Sequence, residues 1–135
     1  MIDRLTDKLQ SFTSSLDLGL KCTHRILAMA NAENWKSVEV ETANRERLLD
    51  TIARDQGQIE AYIDGLISED LTPNNINIIK SWAFDTQNWI NEVARLDDII
   101  IETLNDSKDG ITKEIATIFK SKAAFRGYNL NDVRK

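Results

Sequence analysis

Residues that break helices are scarce in this chain, which has five glycines and one proline in 135 residues. A many-stranded β fold needs Gly, Asn or Pro about every 10 residues to reverse direction. A chain so poor in them is expected to fold as a few long helices. The apolar spacing says the same. Leu5, Leu9, Phe12, Leu16, Leu20, Thr23, Leu27 and Ala30 recur at intervals of three and four, on one stripe of a 3.6-residue helix. A first helix is predicted over about 3–30. Residues 31–34 form a short connector, and Asn34 is suited to cap the next helix.

The second helix begins near Trp35. Its stripe reads Val38, Glu41, Arg45, Leu48, Leu49, Ile52, Gln56, Ile59, Ile63, Leu66 and Ile67. Gly57 lies inside it, but the apolar phase does not change there, so one helix is expected. Residues 70–75 are the clearest punctuation: Thr72 can cap, and Pro73 suits a first helical position because its missing N–H would be unpaired there anyway. The third helix places Ile79, Trp82, Trp89, Ile90, Val93, Leu96, Ile100 and Leu104 on one face. Residues 105–110 look like a loop by composition, yet the spacing runs on through Ile111, Ile115 and Ile118. A continuous, locally weak helix is the preferred reading, with two helices nearly in line as the alternative.

The expected fold is therefore all-α, an elongated antiparallel bundle of three long helices with room for a short fourth helix at the C-terminal end. The bundle domain covers 1–122. Residues 123–135 are expected to be a basic, mobile tail carrying Phe125 and Tyr128.

With a hydrophobic fraction of 41% and a charged fraction of 29%, the chain is too apolar for a disordered one. A net charge of −5 argues against nucleic-acid binding, which calls for a basic face. No uncharged stretch approaches the ~18–20 residues of a membrane span. The opening Met1-Ile2-Asp3-Arg4 lacks the basic-then-apolar layout of a secretory signal. Cys22 is the single cysteine, which excludes an internal disulfide and a cysteine-cluster metal site. A cytoplasmic location is the default expectation.

Catalytic signals are missing from the sequence. His24, the single histidine, falls beside the apolar stripe; a phosphotransfer role needs a basic neighbour on the same face, and adjacent Arg25 points about 100° away. There is no Glu-x-x-His pair for a diiron site, and Asp97 and Asp98 diverge as helical neighbours. No Gly-rich phosphate loop, G-x-S-x-G elbow or Cys/His dyad is present. The expectation is a protein that is not an enzyme and uses no cofactor or metal.

Two features are less ordinary. Glu41 and Arg45 occupy core-phase positions on the second helix, and Asp97 lies near the seam of the third. Buried charges need partners. Either that helix end is splayed and wet, or Arg45 pairs with Asp97 or Glu41, or these charges dock a partner. Secondly, Leu18, Cys22 and Met29 form a narrow second stripe, and Phe84 and Ile99 lie off the third seam. These are either ordinary scattered apolar residues or a contact surface for a partner helix or a second copy. Phe125 and Tyr128 in the tail could equally fold over an apolar groove or fray.

The segment from Asn34 to Leu49 resembles the second-helix opening of FliT-type flagellar export chaperones, with Trp35 after a short turn, acidic Glu39 and Glu41, and Arg45 three before Leu48-Leu49. Leu96-Asp97-Asp98-Ile99-Ile100-Ile101 is similar to the family's third helix, and Tyr128 after Lys120 and Lys122 resembles its late tyrosine. The resemblance covers most of the chain in helix order and length. It implies a cytoplasmic chaperone that binds the helical C-terminal part of the flagellar filament-cap protein, holds it for type III export and touches the export ATPase apparatus. It also implies a last helix that can cover the client groove; the long tail departs from that pattern. The alternative is a helical adaptor or regulator that self-associates as a homodimer or binds another helical partner.

Overall fold

The computed structural model describes residues 2–107 and 110–121; Phe125 and Tyr128 lie outside them. In order come α1 (Ile2–Asn31), α2 (Trp35–Asp64), a single 3-10 turn (Ser68–Asp70), α3 (Pro73–Asp106) and α4 (Gly110–Ser121), with no strand among the described residues. At 1.5 Å per residue the 30-residue α1 is about 45 Å long. The all-α bundle with long helices is as expected.

Local chemistry sets most of the boundaries. α1 ends in a Schellman turn: the Asn34 N–H reaches back to the Met29 carbonyl at 2.9 Å and the Glu33 N–H to Ala30 at 3.0 Å. Glu33 takes the left-handed conformation there (φ 59°), where glycine is usual. Asn34 then accepts the Ser37 N–H at 3.4 Å and starts α2. Thr72 accepts the Asn75 N–H at 3.2 Å, with Pro73 at the first helical position of α3.

The buried residues follow a seven-residue repeat. On α1 they are Leu5, Phe12, Gly19 and Ile26, alternating with Leu9, Leu16, Thr23 and Ala30. On α2 they are Val38, Arg45, Ile52 and Ile59, alternating with Thr42, Leu49, Gln56 and Ile63. α3 repeats Ile79, Thr86, Val93 and Ile100. A seven-residue seam drifts about 20° per repeat against a straight helix and is the signature of left-handed supercoiling. The drift accounts for a departure from expectation on α1. Leu20 and Leu27 are only half-buried, while Gly19 and Ile26 take the seam.

α2 and α3 both pack along α1, and their backbones approach each other little. The core falls into two clusters. The lower one joins Leu5–Leu16 of α1 to Leu49, Ile52, Ile59 and Ile63 of α2 and to Ile79, Trp82, Trp89 and Val93 of α3. The upper one combines Cys22, Ile26 and Ala30 with Val38, Ile100 and Leu104, and is completed by Ile115, Ala116 and Phe119 of α4. One half of the rod is thus three helices thick and the other four.

The third helix is not continuous. α3 stops at Asp106, and Ser107 is extended (ψ 144°). α4 folds back on α3, since Phe119, near its end, lies beside Trp89, Val93 and Asp97. Its buried set is Thr112, Ile115, Ala116 and Phe119 rather than Ile111, Ile115 and Ile118. The unbroken spacing arises because two antiparallel helices present apolar stripes to each other.

Candidate partner-binding cleft

Arg45 holds a core position in the α2 seam and is 3% exposed. A guanidinium so buried needs a fixed counter-charge, and α3 supplies it. Arg45 donates from Nη1 to Asp97 Oδ1 and from Nη2 to Asp97 Oδ2, both at 2.6 Å. The fork geometry is the strong form of this contact. The ring of Phe119 lies over the other side of the guanidinium, its centroid 4.5 Å from Cζ. This stacking brings α2, α3 and α4 together at one point. Burial raises the Asp97 carboxyl above its usual range against the pull of Arg45, and the Asp98 charge raises it further.

Around this pair α2 and α3 leave a cleft whose empty space, counted out to its open mouth, is about 520 Å³. Leu49 forms the α2 wall, Trp89, Ile90, Val93, Ala94 and Ile101 the α3 wall, and Phe119 the α4 end. Arg45 and Asp97 offset each other, and Asp98 supplies the remaining negative charge. The surface is apolar, with an ion pair at its base and a free carboxylate position at its edge. That arrangement suits an amphipathic segment with a basic flank. Trp89 is fixed by donating its indole N–H to the main-chain carbonyl of Leu16 at 2.8 Å.

Glu41 is not the partner of Arg45. It lies half-buried on the α1 side, 3.5 Å from Arg25, and accepts the Cys22 S–H at 3.4 Å. Cys22 and Met29, which the sequence places on a candidate partner stripe, pack instead into the upper cluster; Cys22 is 3% exposed. The seam drift along α1 turns them inward. Burial, followed by the Glu41 contact, pushes the Cys22 thiol up from its ordinary value. Leu18 (56% exposed), Phe84 (65%) and Ile99 (37%) do face solvent, as do Val40 and Ile67, but they do not line the cleft.

The cleft residues Trp89 and Ile90 read from sequence only as core, and Phe119 falls outside the predicted stripe. Ile90 and Ala94, four apart on the flank of the α3 seam, were the available signal for a second face. His24 is exposed on α1. Among the described residues no group of three or more His, Cys, Asp or Glu side chains could hold a metal ion. No described helix is long and apolar enough to cross a membrane. No family model, curated protein or solved structure matches the chain.

Proposed function

We propose that this protein is a non-catalytic cytoplasmic chaperone that holds the helical C-terminal region of the flagellar filament-cap protein for type III export. The observation that carries this reading is the cleft between α2 and α3, apolar along both walls and charged at its base. An amphipathic client helix with anchors at i, i+3, i+4 and i+7 lays its apolar face in such a groove, and no bond has to be made or broken. The resemblance of the Asn34–Leu49 and Leu96–Ile101 segments to FliT-type chaperones supplies the client, and contact with the export ATPase apparatus follows from the same resemblance. Arg45 and Asp97, both within those segments, form the base of the cleft.

A helical adaptor that self-associates is the second reading, favoured by Phe84, 65% exposed on the outward face of α3. Titration calorimetry with the purified filament-cap protein separates the two. Saturable binding that is lost on removing the client's C-terminal helices, and weakened by Ala94→Arg in the cleft, supports the chaperone reading. No binding, together with concentration-dependent dimerisation abolished by Phe84→Ser, supports the adaptor and ends the chaperone reading.

A further inference from the structure

A threonine hydroxyl inside a helix has a ready partner in the carbonyl four residues back. Buried Thr23 and Thr86 use it, donating to Gly19 and Trp82 at 2.8 Å. Thr51 and Thr117 do the same with Arg47 and Lys113. Thr42 does not. It is 2% exposed in the α2 seam, and its Oγ1 has no hydrogen-bond partner among the described residues. A hydroxyl taken out of water without a partner is costly. Thr42 lines a small pocket with Arg45, Glu46 and Leu49 of α2, beneath Ile118 and Phe119 of α4. Arg45 brings spare donors to it, since a guanidinium has five N–H groups and Asp97 takes two of them.

We propose that this pocket is the binding site of one internal water, whose oxygen accepts from the Thr42 hydroxyl and an Arg45 N–H and which donates to the Glu46 carboxylate. Size selects the ligand. The space is about 190 Å³ out to its mouth, below the ~300–1,000 Å³ of small-molecule sites, whereas a water takes up about 30 Å³. The lining selects it too. Two donors and a carboxylate make up the roughly three partners a buried water usually has, and an apolar pocket of this size would stay dry. Thr42, Arg45, Leu49 and Phe119 are each 3% exposed or less, and half-buried Glu46 and Ile118 form the rim. The water holds an edge of the guanidinium that Asp97 leaves free, so the plane stacked against Phe119 is fixed from two sides. The site lies between α2 and α4 and does not depend on what the open cleft binds.

The test is a crystal structure of the full chain that orders internal waters, paired with ¹⁷O magnetic relaxation dispersion in solution. The dispersion counts long-lived waters through their oxygen, so exchange of the Thr42 hydroxyl proton does not enter. The expected result is a water oxygen within about 3.2 Å of both Thr42 Oγ1 and an Arg45 nitrogen. The dispersion amplitude should fall by one water in Thr42→Val and be kept in Thr42→Ser, which retains the hydroxyl. A Thr42 hydroxyl closed on the Val38 carbonyl, with no water beside Arg45, overturns the proposal. So does an unchanged amplitude in a Thr42→Val chain whose amide spectrum shows the fold intact. Should that variant fail to fold, the crystal structure of the unaltered chain decides alone.

Discussion

Arg45 and Asp97 face each other through two hydrogen bonds of 2.6 Å, on helices whose backbones otherwise stand apart. Removing one member of a buried pair leaves the other charge without compensation, at about 3–5 kcal/mol. Arg45→Ala should therefore lower the unfolding free energy in urea by that order. Arg45→Lys should recover only part of it, because an ammonium cannot reproduce the planar fork. A loss below about 0.5 kcal/mol, the range of ordinary surface substitutions, would mean the guanidinium is solvated.

The same pair sets a pH dependence. Because burial raises the Asp97 carboxyl in the folded state, the fold holds that proton to a higher pH than the unfolded chain does. The resulting stability contribution is complete below the unfolded value and declines as pH rises through the folded one. Asp97→Asn removes this titration. Wild-type stability minus that of the variant should be largest in acid and shrink as pH climbs past the usual carboxylate range. A difference that grows with pH would show that attraction to Arg45 outweighs burial.

Cys22 should be nearly inert in the native state. Its sulfur is buried, its thiol is pushed up, and a carboxylate beside it opposes ionisation. Alkylation by iodoacetamide at mildly alkaline pH is expected to proceed only at the rate of unfolding, and to become fast in denaturant. Rapid labelling without denaturant would place the thiol on the surface.

Two glycines should respond in opposite ways to the same substitution. A Cβ on Gly57 meets nothing within 4 Å, so Gly57→Ala should stabilise α2 by about 0.5–1 kcal/mol through backbone entropy alone. A Cβ on Gly19 of α1 comes within 3.3 Å of the Trp89 ring on α3 and 3.4 Å of Ile52 on α2. Gly19→Val should cost about 1–3 kcal/mol by overpacking. Thermal unfolding of the two variants checks both signs.

Phe119→Ala should cost about 3–5 kcal/mol as a buried aromatic, and its effect should be local. Amide exchange is expected to accelerate most on α4 and on the faces of Ile100 and Leu104 beneath it, while the Leu5–Leu16 stretch of α1 keeps its protection. Uniform acceleration along the whole rod would mean the two clusters melt as one.

What could be read beforehand depended on whether the controlling interaction was local. Asn34, Thr72 and Pro73 announce their helices because a cap bonds three residues away. The stop at Ser107 was marked by the loop-like composition of 105–110, but the apolar spacing that runs on past it outweighed that mark, because α4 packing back on α3 is a tertiary event that leaves the spacing intact. Arg45 and Asp97 stood out as charges in apolar phase, but choosing between Asp97 and Glu41 required knowing which face of α2 meets which neighbour. Leu20, Leu27 and Cys22 were misplaced because a straight-helix stripe and a supercoiled seam part company by the fourth repeat. The cleft was illegible, since its walls belong to three helices and its width is a distance between backbones.

The division of the core has a consequence for the order of synthesis. A ribosome releases α1, α2 and α3 before α4, and N-terminal parts fold first. Everything the lower cluster needs has emerged once α3 is out. The upper half then waits with Ile100 and Leu104 uncovered on the side that α4 later seals. A chain stalled after α3 would be well built at one end and adhesive at the other, so α4 decides whether the newborn bundle leaves the ribosome clean.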